Sequence, residues 1–375
     1  MSTALQGALA PATEAELAEI IAGCCRGHAP LRIRGGGTRV ETGHLSGEVL
    51  DLSRLTGVVT YAPGDMVLIA RPGTPLDEIE TMLAAEGQAL AFEPPDMRAV
   101  LGRNGRPTVG GMVAANASGP RRLLAGACRD HILGLRFVDG QGRILKNGGR
   151  VMKNVTGLDL VKLQGGAFGT LGVLSEVVLK TLPHLPERGT LAVHGLDAAQ
   201  AVGLFSAALA TPHEVSGAAF HGGSAWLRIE GIGPQLAYRR ERLSALMHPH
   251  EVEFLDAPAT QALWQGLRDL GIFAGSEAPL WRLLVKPTEA PGVVQALETL
   301  GGRTLLDWGG GLVWYAGPGT AAQLRGIARH ATLIRRAGLA GPAFPPEAPA
   351  VARLSDGLRR AFDPAGILNP GLMVR

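Results

Sequence analysis

RIRGGGTRV, residues 32–40, sets three consecutive glycines directly after a short alternating run and brackets them with arginines. Glycine reaches positive φ without steric cost and lets another group approach the main chain closely. A run of exposed N–H donors in such a turn forms a concave site for an anion, for which a phosphate is the natural occupant. A single glycine turn has an ordinary loop reading as well. The rest of the chain decides between the two.

Glycine is abundant throughout, at 53 of 375 residues, about twice the usual share of roughly 7%. No collagen-like period or low-complexity tract accompanies it, so the glycines serve local turns. Hydrophobic residues make up 46% and charged residues 18%, enough apolar material for a sizeable core. A length of 375 residues favours two domains. The net charge of +3 comes from 36 basic and 33 acidic residues spread along the chain, which excludes the basic stripe that nucleic-acid binding requires. Cys24, Cys25 and Cys128 are the only thiols, too few and too adjacent for a disulfide framework or an iron–sulfur cluster held by this chain alone. No run approaches the roughly 20 apolar residues that span a bilayer, and no basic segment followed by an apolar stretch opens the chain. The expected location is cytoplasmic.

Outward from the glycine turn, Thr13-Glu14-Ala15-Glu16 has capping-box spacing and Leu17, Ile20 and Ile21 follow at helical spacing, predicting a helix near 14–26 that feeds a strand at 30–34. Met66–Ala70 then reads as a strand, and Leu76, Ile79 and Leu83 as a helix stripe. Helix potential recurs near Met112–Ala117. Residues 132–138 alternate, and DGQG at 139–142 predicts a hairpin turn. From 187 to 340 the pattern changes to helices at 197–210, 236–247 and 320–336, alternating with short strands at 225–229, 280–285 and 312–316. This predicts an α+β second domain. GPAFPPEAPA forms a linker to a final helix near 350–361 and the tail AFDPAGILNPGLMVR.

Several cofactor schemes fail on their own requirements. There is no G-x-x-x-x-G-K-[ST], and no G-x-G-x-x-G opens a helix straight after a strand with an acidic residue about 20 positions on, so a P-loop and a Rossmann NAD site are both set aside. No His/Asp/Cys pattern has metal-ligand spacing, and no metal is expected. Four glycine-rich segments remain, in order: RGGGT from 34, TVGGMVAANASGPRR from 108, GGRVMKNVTGLDL from 148 and GGAFGTLGV from 165. Together they would let a long ligand lie along exposed backbone donors from end to end.

In combination these segments resemble the vanillyl-alcohol-oxidase-type FAD-binding fold. The wording of GPRR, CRDHILGLRFVDGQGRIL, GGRVMKNVTGLDLVKL, GTLGVLSEVVLKTLP and the tail FDPAGILNPGLM is similar to the FAD-binding subunits of bacterial glycolate oxidases. In 187–340 the likeness is confined to APLWRLLVKP and LDWGGGLVWYAG. The resemblance implies an α+β chain with an FAD-binding domain in two subdomains over 1–183, a smaller α+β cap domain over 184–345, and a segment over 346–375 that returns to the FAD domain. It implies that Gly35, Gly36, Gly37 and Thr38 hold the FAD pyrophosphate, with Arg34 adding charge. Thr108, Gly110, Gly111, Asn116, Ser118 and Gly119 would admit the ribityl chain and ring; Gly169, Gly172 and Val173 would flank the adenine end; Asn369 would lie beside the isoalloxazine. Lys153 and Asn154 are placed near the flavin. Positions 35–39 and 108–120 contain no His or Cys, so the FAD is expected to be non-covalent.

The chain departs from the catalytic hydroxy-acid branch, whose second domain carries H-x-G-x-G-N-x-H; nothing like it occurs here. Candidates for a carboxylate-binding cation are Arg282, Arg121 and Arg122, and for a base His131 or His221, with no catalytic residue assigned. The expected function is the FAD-binding subunit of a multi-subunit glycolate oxidase. It would work beside a catalytic flavoprotein and an iron–sulfur subunit, on a small 2-hydroxy acid, with any membrane association made through those partners. A stand-alone FAD-dependent 2-hydroxy-acid dehydrogenase and a non-redox scaffold with a decayed flavin site are the competing readings.

Overall fold

The computed structural model describes residues 9–41, 45–150, 157–185 and 187–373. The chain begins with the helix Glu14–Gly27, whose capping differs slightly from expectation. Thr13 Oγ1 accepts from Glu16 N–H at 3.2 Å, but the Glu16 carboxylate accepts from Ala12 N–H rather than closing the box on Thr13. Leu17 and Ile21, one turn apart, are fully buried. The strand Leu31–Arg34 follows and pairs in parallel with Glu48–Asp51.

A five-stranded antiparallel sheet runs in the order Val58–Ala62, Val67–Ala70, Val173–Lys180, Ile132–Val138, Ile144–Gly148. All four residues of Val67–Ala70 are buried, because Leu68 faces the main core of this unit while Val67 and Ile69 pack with Val178 on the other face. The helix Leu76–Ala85 covers the core face through Leu76, Ile79 and Leu83.

An eight-stranded antiparallel sheet is built from the later strands, in the order Glu253–Leu255, Glu187–His194, Ser224–Gly231, Gly217–His221, Arg303–Asp307, Leu312–Ala316, Leu280–Leu284, His330–Arg335. Helices Ala198–Leu209, Gly233–Leu246 and Ala290–Thr299 supply Phe205, Leu243 and Leu297 to the core on one face. The opposite face packs Trp314, Leu305 and Leu280 against Trp264 and Leu267 of the helix Ala257–Arg268, and against Met97 and Val100 from the first unit. The two sheets are therefore joined through a shared apolar layer.

The helix predicted over 320–336 is shorter. It spans Ala321–Ile327, and His330–Arg335 is a strand on the edge of the large sheet, paired with Leu280–Leu284. Ala331 and Leu333 are buried while Thr332 and Ile334 are half-buried on the other face. This two-residue alternation with β-branched residues fits a pleated surface, not a helix. The helix predicted near 112–117 begins earlier, at Val109–Ala114, because Thr108 caps it.

Candidate functional site

The strand Leu31–Arg34 has two neighbours. On one side lies Glu48–Asp51, and on the other the returning tail, where Leu31 N–H donates to Ile367 O at 2.7 Å and Asn369 N–H donates to Leu31 O at 2.9 Å. The Asn369 side chain continues this seam: its Oδ1 accepts from Ile33 N–H, and its Nδ2 donates to Phe168 O, both at 2.8 Å. Three chain segments thus converge where the strand runs into Gly35.

The glycine turn lies against residues 105–108 at main-chain distance. A Cβ on Gly36 would stand 1.6 Å from the Arg106 carbonyl oxygen, one on Gly105 would stand 1.8 Å from the Gly36 oxygen, and one on Gly35 would stand 2.5 Å from Thr108 Oγ1. Gly37 has φ +67°, and a Cβ there would make only ordinary contact with the Arg34 side chain, at 3.7 Å. The bare backbone therefore has two causes: Gly35 and Gly36 admit a neighbouring chain, and Gly37 makes the left-handed bend. The amides of Gly35, Gly36, Gly37 and Thr38 have no acceptor among the described residues. Four consecutive unsatisfied donors at a bend are an anion cradle.

These amides line the middle of a trough. The middle section is bounded by Ile33–Val40, Leu52, Pro72, Thr108, Gly110, Gly111, Ala114, Ala115, Phe168, Gly169, Gly172, Val173, Asn369 and Leu372. It opens outward across Arg34–Gly37 and Thr108 into a polar mouth with Asp51, Ser53, Glu78, Arg103 and Arg106. Inward it runs past Arg39, Ala115 and Phe168 into a space between the two sheets, walled by Asn116, Ser118 and Gly166 from the first and by Arg282, Trp314 and Thr332 from the second. The bend of amides, the apolar middle and the length suit an extended dinucleotide whose planar end points toward the large sheet.

Most of the residues singled out in the sequence meet here. Thr108 Oγ1 accepts from Gly111 N–H at 3.3 Å and caps the turn on which Gly110, packed on Pro72, and Gly111 line the trough. Asn116, at φ +47°, uses its Oδ1 to accept from Arg129 N–H, and Ser118 Oγ accepts from Cys128 N–H. Gly169, Gly172, Val173 and Asn369 lie together in the middle section, so Asn369 stands beside the glycine turn rather than at the inner end.

Others go elsewhere. Gly119 does not reach the trough: a Cβ there would meet Glu93 O at 2.3 Å, and its own carbonyl accepts from Trp308 Nε1–H at 3.0 Å, so it serves the seam between the units. The charge of Arg34 is taken up by Asp51, with Nη2 2.5 Å from Oδ2, although the residue lines the trough. His131 is buried with Nε2–H donating to Ala125 O at 2.8 Å and its ring against Phe92; burial lowers its pKa, and it is not among the residues that line the trough. Arg121 is held by Glu230 at 2.7 Å in an inter-unit network in which Arg228 grips Glu93 through two bonds of 2.9 and 2.8 Å. Arg121 is thus committed to the protein itself. His221 donates from Nδ1–H to Thr304 O at 2.7 Å and lies on the large sheet. Lys153 and Asn154 fall outside the described residues.

Arg282 remains a wall of the inner space. Burial, and after it the neighbouring Arg122 charge, lowers its pKa to about 10, and both guanidiniums lie over the Trp308 ring, at 5.3 and 4.4 Å from its centroid. The sequence reading missed Arg39, whose pKa burial lowers to about 10, and the cross-strand row Trp314–Arg282–Thr332. The second omission follows from reading 330–336 as helix, which hides the register that puts Thr332 beside Arg282. Among the described residues no cluster of His, Cys, Asp and Glu is placed to hold a metal, and no helix is long and apolar enough to cross a membrane.

Known proteins match this geometry. The FAD-binding-domain family matches residues 5–148. Glycolate oxidase subunit GlcE of Escherichia coli K12 is 35% identical over 350 residues, covering 92% of each chain. Glycolate oxidase subunit GlcD of Bacillus subtilis 168 is 30% identical over 186 residues, which cover 49% of this chain and 38% of that one. D-lactate dehydrogenase of Archaeoglobus fulgidus is 32% identical over 186 residues, or 49% and 40% of the two chains. A solved alkyldihydroxyacetonephosphate synthase superposes with a TM-score of 0.69 over 96% of this chain and 75% of that one at 14% identity, a likeness of fold alone. The GlcE match extends the likeness across the second unit, where the sequence motifs were sparse. The chain has the vanillyl-alcohol-oxidase-type fold and FAD as its cofactor, and it belongs to the family of FAD-binding subunits of bacterial glycolate oxidase.

Proposed function

We propose that this chain is the FAD-carrying subunit of a multi-subunit oxidase of glycolate or a similar 2-hydroxy acid, working beside a catalytic flavoprotein and an iron–sulfur subunit. The single observation that carries the reading is the trough whose bend presents four unpartnered amides. In this assignment Gly35–Thr38 take the pyrophosphate, Thr108, Gly110, Gly111, Gly169, Gly172 and Val173 border the nucleotide chain, and Asn116 and Ser118 face the ring in the inner space. Lys153 and Asn154 stay in the proposal from sequence alone. Bound FAD supplies a two-electron acceptor for C–H oxidation and a route for single electrons onward.

The protein's part is to bind, orient and exclude water. Asn369 ties the tail to Ile33 and Phe168, which holds the bend open toward the trough. The apolar middle section dries the contact, and this strengthens the amide–phosphate interaction. Non-covalent attachment is supported by the walls, which contain no His or Cys among the described residues. Cys128 is sealed in the core with its thiol pushed up to about 12 by burial. Arg282 and Arg39 give the inner space a positive field suited to a carboxylate, and among its described walls there is no histidine to act as a base; its one carboxylate, Glu41, lies 3.9 Å from Arg103. That combination favours a flavin that relays electrons over a self-sufficient dehydrogenase. We further propose the division 1–183, 184–345 and 346–375, with the last segment returning to the first unit through residues 367–369.

The test is a spectrum. Purified alone, the chain should be yellow, release FAD on acid precipitation, and keep its oxidised spectrum under anaerobic glycolate until the partner subunits are added. Immediate bleaching by glycolate would establish a stand-alone dehydrogenase, and a colourless protein that does not take up FAD would refute the trough assignment.

A further inference from the structure

The helix Pro349–Phe362 is inside out. None of its residues is buried. Ala350, Val351, Leu354, Gly357, Leu358 and Ala361 recur at three- and four-residue spacing on one stripe, and every one is exposed, Leu354 at 71%. The side turned toward the protein carries Ala352, Ser355, Asp356 and Arg359, which hydrogen-bond locally: Ser355 Oγ to Glu347 at 2.8 Å and Arg359 to Asp356 at 3.1 Å. An amphipathic helix normally buries its apolar stripe.

The helix is nevertheless held in place. Upstream, the Arg325 guanidinium donates to the carbonyls of Pro342, Ala343 and Phe344, and Phe344 meets Phe168 of the trough wall at 4.9 Å. Downstream, Phe362 packs near Phe137, and the buried Asp363 carboxylate accepts from Ile367 and Leu368 N–H at 3.1 and 2.8 Å. A tethered helix that offers its apolar side outward is a ready-made element for a helix-in-groove contact.

We propose that the outer face of this helix docks into an apolar groove with an acidic rim on another subunit of the same oxidase, an inference that rests on the multi-subunit reading. The charge of the stripe's border selects this occupant. Arg353 and Arg360 lie on one flank and make no ion pair among the described residues. Two copies of this chain pairing antiparallel through the stripe would set these arginines against each other, whereas carboxylates on a different subunit would complement them. Gly357, Ala350 and Ala361 keep the stripe low, so a partner's side chains can approach the helix closely. A bilayer is a poorer match, since the stripe has no aromatic residue and the helix no lysine.

The experiment co-expresses the full chain with the catalytic flavoprotein and iron–sulfur subunits and measures assembly by size-exclusion chromatography with light scattering. Leu354→Glu should weaken association at least tenfold while leaving the melting temperature and bound FAD of the isolated chain unchanged, because Leu354 touches almost nothing within the chain. Arg353→Glu with Arg360→Glu should slow association and flatten its salt dependence. Leu158→Glu, at another exposed leucine, should assemble normally. Full assembly of Leu354→Glu, or an equal loss in Leu158→Glu, overturns the docking site and leaves the subunit reading standing. A wild-type chain that forms no complex overturns both. Wild-type self-association abolished by Leu354→Glu would assign the face to a second copy, and Leu354-dependent binding to vesicles of three parts phosphatidylcholine to one part phosphatidylserine would assign it to a membrane. Either result overturns the proposal.

Discussion

Gly36 and Gly37 are adjacent and identical in the sequence, yet they answer different constraints. At Gly36 the missing methyl is occupied by the Arg106 carbonyl, so Gly36→Val must push residues 35–37 off residues 105–107 and disrupt the bend from behind. It should lose FAD and melt at a lower temperature. Gly37→Ala has room but sits at φ +67°, which costs an L-residue roughly 1–2 kcal/mol. It should fold and bind FAD about tenfold more weakly, as read by flavin fluorescence on titration. If Gly37→Ala abolished folding while Gly36→Val bound normally, the division of labour drawn here would be wrong. The run of glycines was legible as a phosphate turn because composition alone demands a bare backbone. That two of the three serve chain-to-chain packing was not, since the partner lies 70 residues away and no local signal names it. Asp307 is a second case. Its carboxyl is buried, and that burial lifts its pKa to about 7 against the pull of the Trp308 amide and the Arg228 charge. The folded state holds this proton more tightly than the unfolded state, so between about pH 4 and 7 stability falls as pH rises. Asp307→Asn should remove that slope in urea titrations across this range; an unchanged slope would assign it to other groups.

At the scale of elements, Thr108 closes a helix of only six residues and at the same time fills the space beside Gly35. Removing an N-cap hydroxyl costs about 1 kcal/mol. Thr108→Ala should therefore lower both thermal stability and FAD affinity by a few-fold equivalent, and Thr108→Ser should restore both. Restoration of stability without affinity would separate the cap from the site. The first sheet and its helices were readable because Val67–Ala70, 132–138 and the Leu76, Ile79, Leu83 stripe carry clean periods. The strand His330–Arg335 was not, because it follows a short true helix after a capping box at Thr320, and only its pairing with Leu280–Leu284 settles the matter. Losing that strand also concealed Thr332, and with it the inner wall of the trough.

Across the whole molecule, the two sheets are clamped by a buried set of charges that no single segment announces. Arg228, 2% exposed on the large sheet, is paired with Glu93 of the first unit and lies 3.6 Å from Glu230, which in turn holds Arg121. Removing one member of a buried pair leaves an uncompensated charge and costs about 3–5 kcal/mol. Glu93→Ala should destabilise the protein on that scale in denaturant melts, and Glu93→Ala with Arg228→Met should recover much of the loss. Failure of the double variant to recover would show that packing, not charge, dominates the seam. Because the trough's inner end lies between these units, the single variant should also loosen FAD. The tail adds a temporal constraint. Asn369 meets Ile33 across 336 residues, so this wall of the trough's middle section closes only once two segments far apart in the chain have met. Until residues 367–369 have joined Leu31, Ile33 and Phe168 the pouch stands open on that side, so the pigment is captured after this long-range closure and not during the folding of the first unit alone.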